Sequence, residues 1–247
     1  MAEIPDIESL HPRPLSGAQV TPTPTLVPAR TTLRGRYVEL VPQNAATQAQ
    51  ALFDASHGSD EALRIWDYLP EGPWPDLASY TNALRGQTGM LDRIFLSIRP
   101  LDAEAVCGQA SFMDIHAANG VIEIGYIWFG LELQRTRAAT EALYLMIAHA
   151  MDDLGYRRMQ WRCNAQNKNS RAAATRLGFR FEGIFFNHMI YKGKNRDTAW
   201  YSILDVEWPA LRMLFEQWLD PSNFDANGVA KTSLSALTAA RPERVER

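Results

Sequence analysis

The stretch that decides the fold is VIEIGYIWFG (residues 121–130), followed three residues later by QRTRAATEALYLMIAHAMDDLG (residues 134–155). Val121, Ile122, Ile124, Tyr126, Ile127, Trp128 and Phe129 are β-branched or aromatic, the types that suit a pleated, half-buried strand, and Gly130 ends the run. In the second segment Ala139, Ala142, Leu143, Met146, Ala150 and Leu154 recur at three- and four-residue steps, so they share one stripe of a helix. Gly155 stands where a helix C-terminus takes a left-handed residue. The unit reads as strand, short loop, helix. At its join, Gln134-Arg135-Thr136-Arg137-Ala138-Ala139 sets two guanidinium groups and a row of small residues at a helix start. Unpaired N–H groups and the positive dipole end there favour an anion such as a phosphate. A solvated strand-to-helix connection is the plainer alternative.

Working outward, residues 159–165 read as the next strand, so the helix is the crossover of a βαβ unit with two parallel strands. Upstream, a strand is expected at residues 33–42, stopped by Pro42; strands at 92–99 and 105–115, joined through Pro100-Leu101-Asp102, then lead by the turn at 117–120 into the strand from Val121, and these three make an antiparallel meander. Helices are expected at residues 45–56 and 76–84, the second capped by Asp76. Downstream, Asn167 or Asn169 caps a short helix that Gly178 stops. A hairpin then turns through Lys192-Gly193-Lys194-Asn195, and residues 207–219 carry an apolar stripe of Leu211, Leu214, Phe215 and Trp218. The fold class is therefore α/β (α+β), with a mixed, mostly antiparallel central sheet. Residues 1–32 read as a Pro-rich tail, 33–219 as one domain, and 220–247 as a polar tail expected to fray.

Composition narrows the function. With 25 Lys+Arg against 28 Asp+Glu the formal net charge is -3, so the chain lacks the global basic field of a nucleic-acid binder. Its apolar runs are strand-sized and interrupted, and its N-terminus lacks a secretory pattern, which points to a cytoplasmic protein without a membrane partner. Cys107 and Cys163 sit in strand-like apolar surroundings and read as reduced, buried small residues. No metal-ligand cluster is read, and a monomer or homodimer is expected.

Three motifs carry a resemblance to the GNAT superfamily of acetyl-CoA-dependent N-acetyltransferases, closest to the branch that acetylates the N-termini of ribosomal proteins. Gln134 and Ala139 match the family's phosphate loop, and Thr140-Glu141-Ala142 after it is typical of the branch. Asn167 and Ser170 match Asn-x-x-Ser before a short helix. Leu177-Gly178-Phe179 and Glu182-Gly183 match the motif that follows. The resemblance implies that the parallel strands splay apart, helices cover both faces of the sheet, and the pantetheine arm of acetyl-CoA lies in the gap. It also implies pyrophosphate on residues 134–139, backbone of Ile127, Trp128 and Phe129 along the arm, and Asn167 bonding the arm from the other side.

For acetyl transfer an amine must lose a proton before it attacks the thioester. Glu123, which interrupts an apolar strand on the path to the reaction centre, is the first candidate base, and His188 the second. A structural pair between Glu123 and an arginine, and a merely packed His188, are the alternatives. Ser170 is the candidate for stabilising the leaving thiolate, against a role as helix-entry residue only. Trp66, Tyr68 and Trp74 are expected on the acceptor wall. The sequence departs from the family's pattern at three places: Arg137 replaces a glycine, Ala174 a tyrosine, and Met189 a glutamate given the role of base. Those departures favour a second reading, a CoA-binding module without turnover.

Overall fold

The computed structural model describes residues 25–226, 228–242 and 244. Its strands are β1 (Leu33–Arg34), β2 (Val38–Pro42), β3 (Ile94–Pro100), β4 (Gly108–His116), β5 (Val121–Phe129), β6 (Arg158–Asn164), β7 (Arg180–Tyr191) and β8 (Lys194–Leu204). Its helices are α1 (Ala45–His57), α2 (Asp60–Leu63), α3 (Leu77–Gly89), α4 (Arg137–Ala148), α5 (Lys168–Arg176), α6 (Trp208–Leu219) and α7 (Leu234–Ala239). The strands form one 8-stranded sheet in the order β1-β2-β3-β4-β5-β6-β8-β7. All neighbours are antiparallel except β5 and β6, as expected of a βαβ crossover through α4.

Two local features open the sheet. The parallel ladder holds only Val121 to Arg158, Ile122 to Met159 and Glu123 to Gln160. Beyond that point β6 stays paired with β8 as far as Asn164 opposite Thr198, while β5 leaves it. The second feature is a bulge: between the pairs Gln109–Trp128 and Ser111–Gly125, β4 advances by two residues and β5 by three, with Tyr126 at φ 51°. The extra residue reverses the strand's facing. Ile122 and Ile124 therefore pack with Ala142, Leu143 and Met146 of α4. Trp128 instead packs with Leu52 of α1, Tyr80 and Leu84 of α3, and Trp66.

Glu141, on the buried side of α4, ties the first turn of the sheet to the helix. Its carboxylate accepts the backbone N–H groups of Arg36 (2.9 Å), Tyr37 (2.6 Å) and Val38 (3.1 Å). A Cβ at Gly35 would lie 2.4 Å from that carboxylate, so the turn needs glycine. The β7–β8 hairpin closes through Lys192 (φ 50°) and Gly193 (φ 72°), both left-handed as a two-residue turn requires.

The C-terminal segment differs from the frayed tail expected of its polarity. Leu234 is buried in the main core, and Thr238 Oγ1 donates to the Arg176 carbonyl at 3.2 Å. Arg244 donates to Glu182 (3.0 Å) and Glu207 (2.8 Å). Phe224 and Leu234 in the core, with Ala230 and Leu237 packed against it, and a doubly paired arginine hold a stretch whose average composition predicts none of this. The expected N-terminal tail lies mostly outside the described residues. Of what is described, Pro28 is buried and Leu26 N–H donates to the Leu154 carbonyl at 3.1 Å. No helix among the described residues is long and apolar enough to cross a membrane.

Candidate active site

Where β5 and β6 part, a cavity of about 260 Å³ opens. Strand alternation assigns its walls. Trp161 and Cys163 of β6 face α4 and α5, as does Ser170 in the first turn of α5. Arg162 of β6, Glu123 and Gly125 of β5, and Arg196 of β8 face the other way, toward Tyr68, Leu69 and Pro70. The cavity thus passes through the sheet and touches both of its faces.

Glu123 is 3 % exposed and is the last residue of β5 paired with β6. Arg162 Nε donates to its Oε2, and Arg162 Nη2 donates to Asp114, on the bulged end of β4. Burial pushes the Glu123 carboxyl up to about 7 against the opposing pull of Arg162, and the nearby Asp114 charge adds to the rise. Both the cavity lining and the arginine pair weighed for this residue are thus present together. Gly125 packs closely beside it: a Cβ there would meet Met113 Sδ at 2.3 Å and Glu123 Oε1 at 3.3 Å, so a larger residue would displace the Met113 side chain.

On the opposite wall Asn167 caps α5, its Oδ1 accepting from Ser170 N–H at 3.0 Å, which leaves its amide N–H₂ for other partners. The Ser170 hydroxyl accepts from Trp161 Nε1 at 3.0 Å. Accepting from the indole leaves the hydroxyl's single proton to be donated, either to the adjacent Cys163 or into the cavity. Burial raises the adjacent Cys163 thiol, partly offset by the Ser170 hydroxyl.

In the loop after β5, Gln134 donates its side-chain N–H to the Phe129 carbonyl at 2.9 Å. Thr136 caps α4, its Oγ1 accepting from Ala139 N–H at 3.1 Å. Arg137 and Ala138, in the first turn, have no carbonyl four residues back within the helix to bond. Arg135 is exposed at φ 63°. Arg137 turns away from the loop: its guanidinium lies 4.2 Å from the Tyr37 ring centre and 5.5 Å from that of Phe224. The residue that replaces the family's glycine thus has aromatic partners elsewhere.

The structure brings Glu123, Ile127, Asn167, Ser170 and Tyr68 to one cavity. It does not bring the other expected residues there. Trp66 is buried at a packed corner with His57, Trp74, Tyr80 and Trp128, its Nε1 donating to the Ser56 carbonyl at 3.3 Å. Trp74 lies edge-on to Trp66 and Tyr80. His188 packs against Phe185 and Trp200, with Nδ1 3.0 Å from Thr198 Oγ1, and lies outside the cavity lining. Sequence reasoning missed Arg93, Asp114, Tyr126, Arg162, Cys163, Tyr191 and Arg196, which all line it. For Arg162 a signal existed: it alternates with Trp161 and Cys163 on a strand whose other face is apolar.

Comparison with known proteins places this geometry. A family model described as "Acetyltransferase (GNAT) domain" matches residues 39–180, more than half of the 247-residue chain. The chain is 31% identical over 104 residues to a Bacillus subtilis (strain 168) protein named "Putative ribosomal N-acetyltransferase YdaF"; the match spans 42% of this chain and 56% of that protein. A crystal structure of a GCN5-related N-acetyltransferase from Brucella melitensis superimposes with TM-score 0.84 at 43% identity, covering 88% of this chain and 98% of that one. A GNAT-family acetyltransferase structure from Chromobacterium violaceum ATCC 12472 gives TM-score 0.74 at 35% identity, with 80% and 98% covered.

Proposed function

The chain belongs to the GNAT acetyltransferase family and is an N-acetyltransferase; from that premise we propose that it moves an acetyl group from acetyl-CoA to a primary amine, of a small molecule or a peptide N-terminus, by direct attack in a ternary complex. The observation that carries the reading is the cavity through the sheet, with a buried carboxylate on one wall and a hydroxyl on the other.

The donor has a place that fits it. Residues 134–139 offer first-turn N–H groups and the exposed Arg135 to a pyrophosphate. The stretch of β5 beyond Glu123, no longer paired with β6, offers backbone to the amides of the pantetheine arm, and the Asn167 side-chain amide faces it from α5. The acceptor enters from the side of Tyr68 and Arg162.

In the reaction the amine nitrogen attacks the thioester carbonyl carbon, the C–N bond forms, and the C–S bond breaks. Glu123, with a pKa of about 7, is ionised in enough molecules at neutral pH to take the amine's proton. The Ser170 hydroxyl donates to the departing sulfur, which leaves as CoA thiolate and takes its proton from solvent. Holding thioester and amine in one gap contributes several kcal/mol of the barrier reduction, about 7 or more in well-oriented systems.

A thiol-release assay with acetyl-CoA over a panel of primary amines tests this. Release that depends on both substrates supports the reading; tight acetyl-CoA binding without release for any amine contradicts it.

A further inference from the structure

One side chain of the cavity bears on the chemistry of the acceptor. Arg196 is 8 % exposed although it carries a permanent charge. Among the described residues no carboxylate forms an ion pair with it, and its Nε has no hydrogen-bond partner. Among the described residues its one side-chain hydrogen bond is Nη1 to Met189 Sδ at 2.9 Å, a weak acceptor, and the guanidinium lies 4.4 Å from the Tyr191 ring centre. Its charge favours the ionised form of Glu123 through space, but no hydrogen bond joins the two, and buried guanidinium groups are ordinarily hydrogen-bonded to a carboxylate because leaving their N–H groups unsatisfied is costly.

The surroundings reinforce the point. Arg162, on the same face, is satisfied by Glu123 and Asp114. Arg93, Arg162 and Arg196 against Asp114 and Glu123 leave the lining at +1 (three positive, two negative), even with both carboxylates ionised. β8 alternation puts Arg196 on the face that carries Glu123, the acceptor side of the gap, while Ser170 and Asn167 line the other side. A lone ammonium would enter a cavity already positive.

Resting on the acetyl-transfer reading, we propose that the acceptor amine carries a carboxylate close to its nitrogen, and that Arg196 pairs with it while Glu123 receives the amine. Arg196 is then a specificity residue: it fixes which end of the acceptor faces the thioester. The cavity of about 260 Å³ is shared with the thioester end of the donor, which restricts the acceptor group inside it to something no larger than an amino acid or the first residue of a peptide. The carboxylate can therefore be an α-carboxylate or the side chain of an acidic N-terminal residue.

The test compares kcat/KM within matched pairs. One set holds free amino acids against their carboxamides; the other holds Asp- or Glu-initiated dipeptide amides against the Asn- or Gln-initiated ones. In the wild type, the carboxylate member of at least one set is favoured about 10- to 100-fold, the size of a charge-assisted pair. Which set responds identifies the source of the carboxylate. In Arg196→Met that ratio falls toward one through a rise in KM, and Arg196→Lys keeps part of it. Acetyl-CoA affinity and melting temperature, measured alongside, separate this from misfolding. The proposal is overturned if the wild type turns over both members of every pair equally, or if Arg196→Met weakens acetyl-CoA binding instead of the preference. Absence of release from every amine overturns the transfer reading and this one with it, whereas turnover without preference removes this one alone.

Discussion

Glu123 faces Gln160 across the last pair of the parallel ladder between β5 and β6. One residue further on, the two strands have separated and the cavity begins. The proposed base therefore sits at the apex of the gap, its position set by backbone pairing as well as by the salt link to Arg162.

Replacing Glu123 by Gln keeps the shape and removes the base. The expected result is a fall in kcat of about 100- to 10,000-fold. In the wild type, kcat/KM rises with pH through an inflection near 7, because the carboxyl must be ionised to accept a proton; the variant loses that inflection. Stability runs the other way. The folded-state value is raised above the ordinary 4.5, so the site's stability is fully present below about 4.5 and declines as pH rises through 7. Melting curves between pH 4 and 8 should show a shallower decline for Glu123→Gln.

Ser170→Ala removes the hydroxyl proposed to meet the thiolate and leaves Trp161 Nε1 without its acceptor. The expected loss in kcat is about 10-fold, the size of one charge-assisted hydrogen bond, with acetyl-CoA affinity changed little. Steady-state kinetics beside direct binding separates the two effects.

Arg135 is exposed, and its role in the reading is electrostatic. Arg135→Glu is expected to weaken acetyl-CoA binding by about 10- to 100-fold, more at low salt than at high, while the melting temperature hardly moves. Calorimetric titration at two ionic strengths measures it.

Arg244 is a stability element. Burial opposes ionisation of Glu182, but hydrogen bonds from Arg158, Ser202 and Arg244 outweigh it and hold the carboxyl at about 2. Its contribution is present above the ordinary value of 4.5 and is lost as pH falls toward 2. Arg244→Ala is expected to lower stability by about 1 kcal/mol at pH 7, roughly 2–4 °C in melting temperature, since the pairs are partly solvated. The difference should shrink at pH 3.

Glu141→Ala strands three backbone N–H groups at the β1–β2 turn. The expected cost is about 2–4 kcal/mol, with Glu141→Gln intermediate because the amide keeps one acceptor oxygen. Chemical denaturation of both variants checks the order.

Much of the fold was legible because it rests on short-range signals. The β-branched run of β5, the apolar stripe of α4 and the helix-stopping Gly178 each declare themselves within one element. The bulge at Tyr126 did not, since nothing in IEIGYIWF marks an extra residue, and with it went the facing of Trp128. The site was legible only in part for a related reason. Glu123 stood out as a charge in an apolar strand, but its link to Asp114 through Arg162 joins residues far apart in sequence. Arg196 follows a turn rich in charge, a context that gives no sign of the burial the hairpin imposes. Trp66 and Trp74 have the composition of a pocket wall, yet aromatic residues dense enough to line a pocket also pack against one another, and here they do.

The most direct test of the central claim is a crystal structure of the protein with acetyl-CoA. The account predicts the pantetheine arm between β5 and β6, the pyrophosphate on residues 134–139, and the thioester sulfur within hydrogen-bonding reach of Ser170 Oγ on the way to Glu123. A thioester lodged away from that gap, with Ser170 and Glu123 untouched, would contradict it.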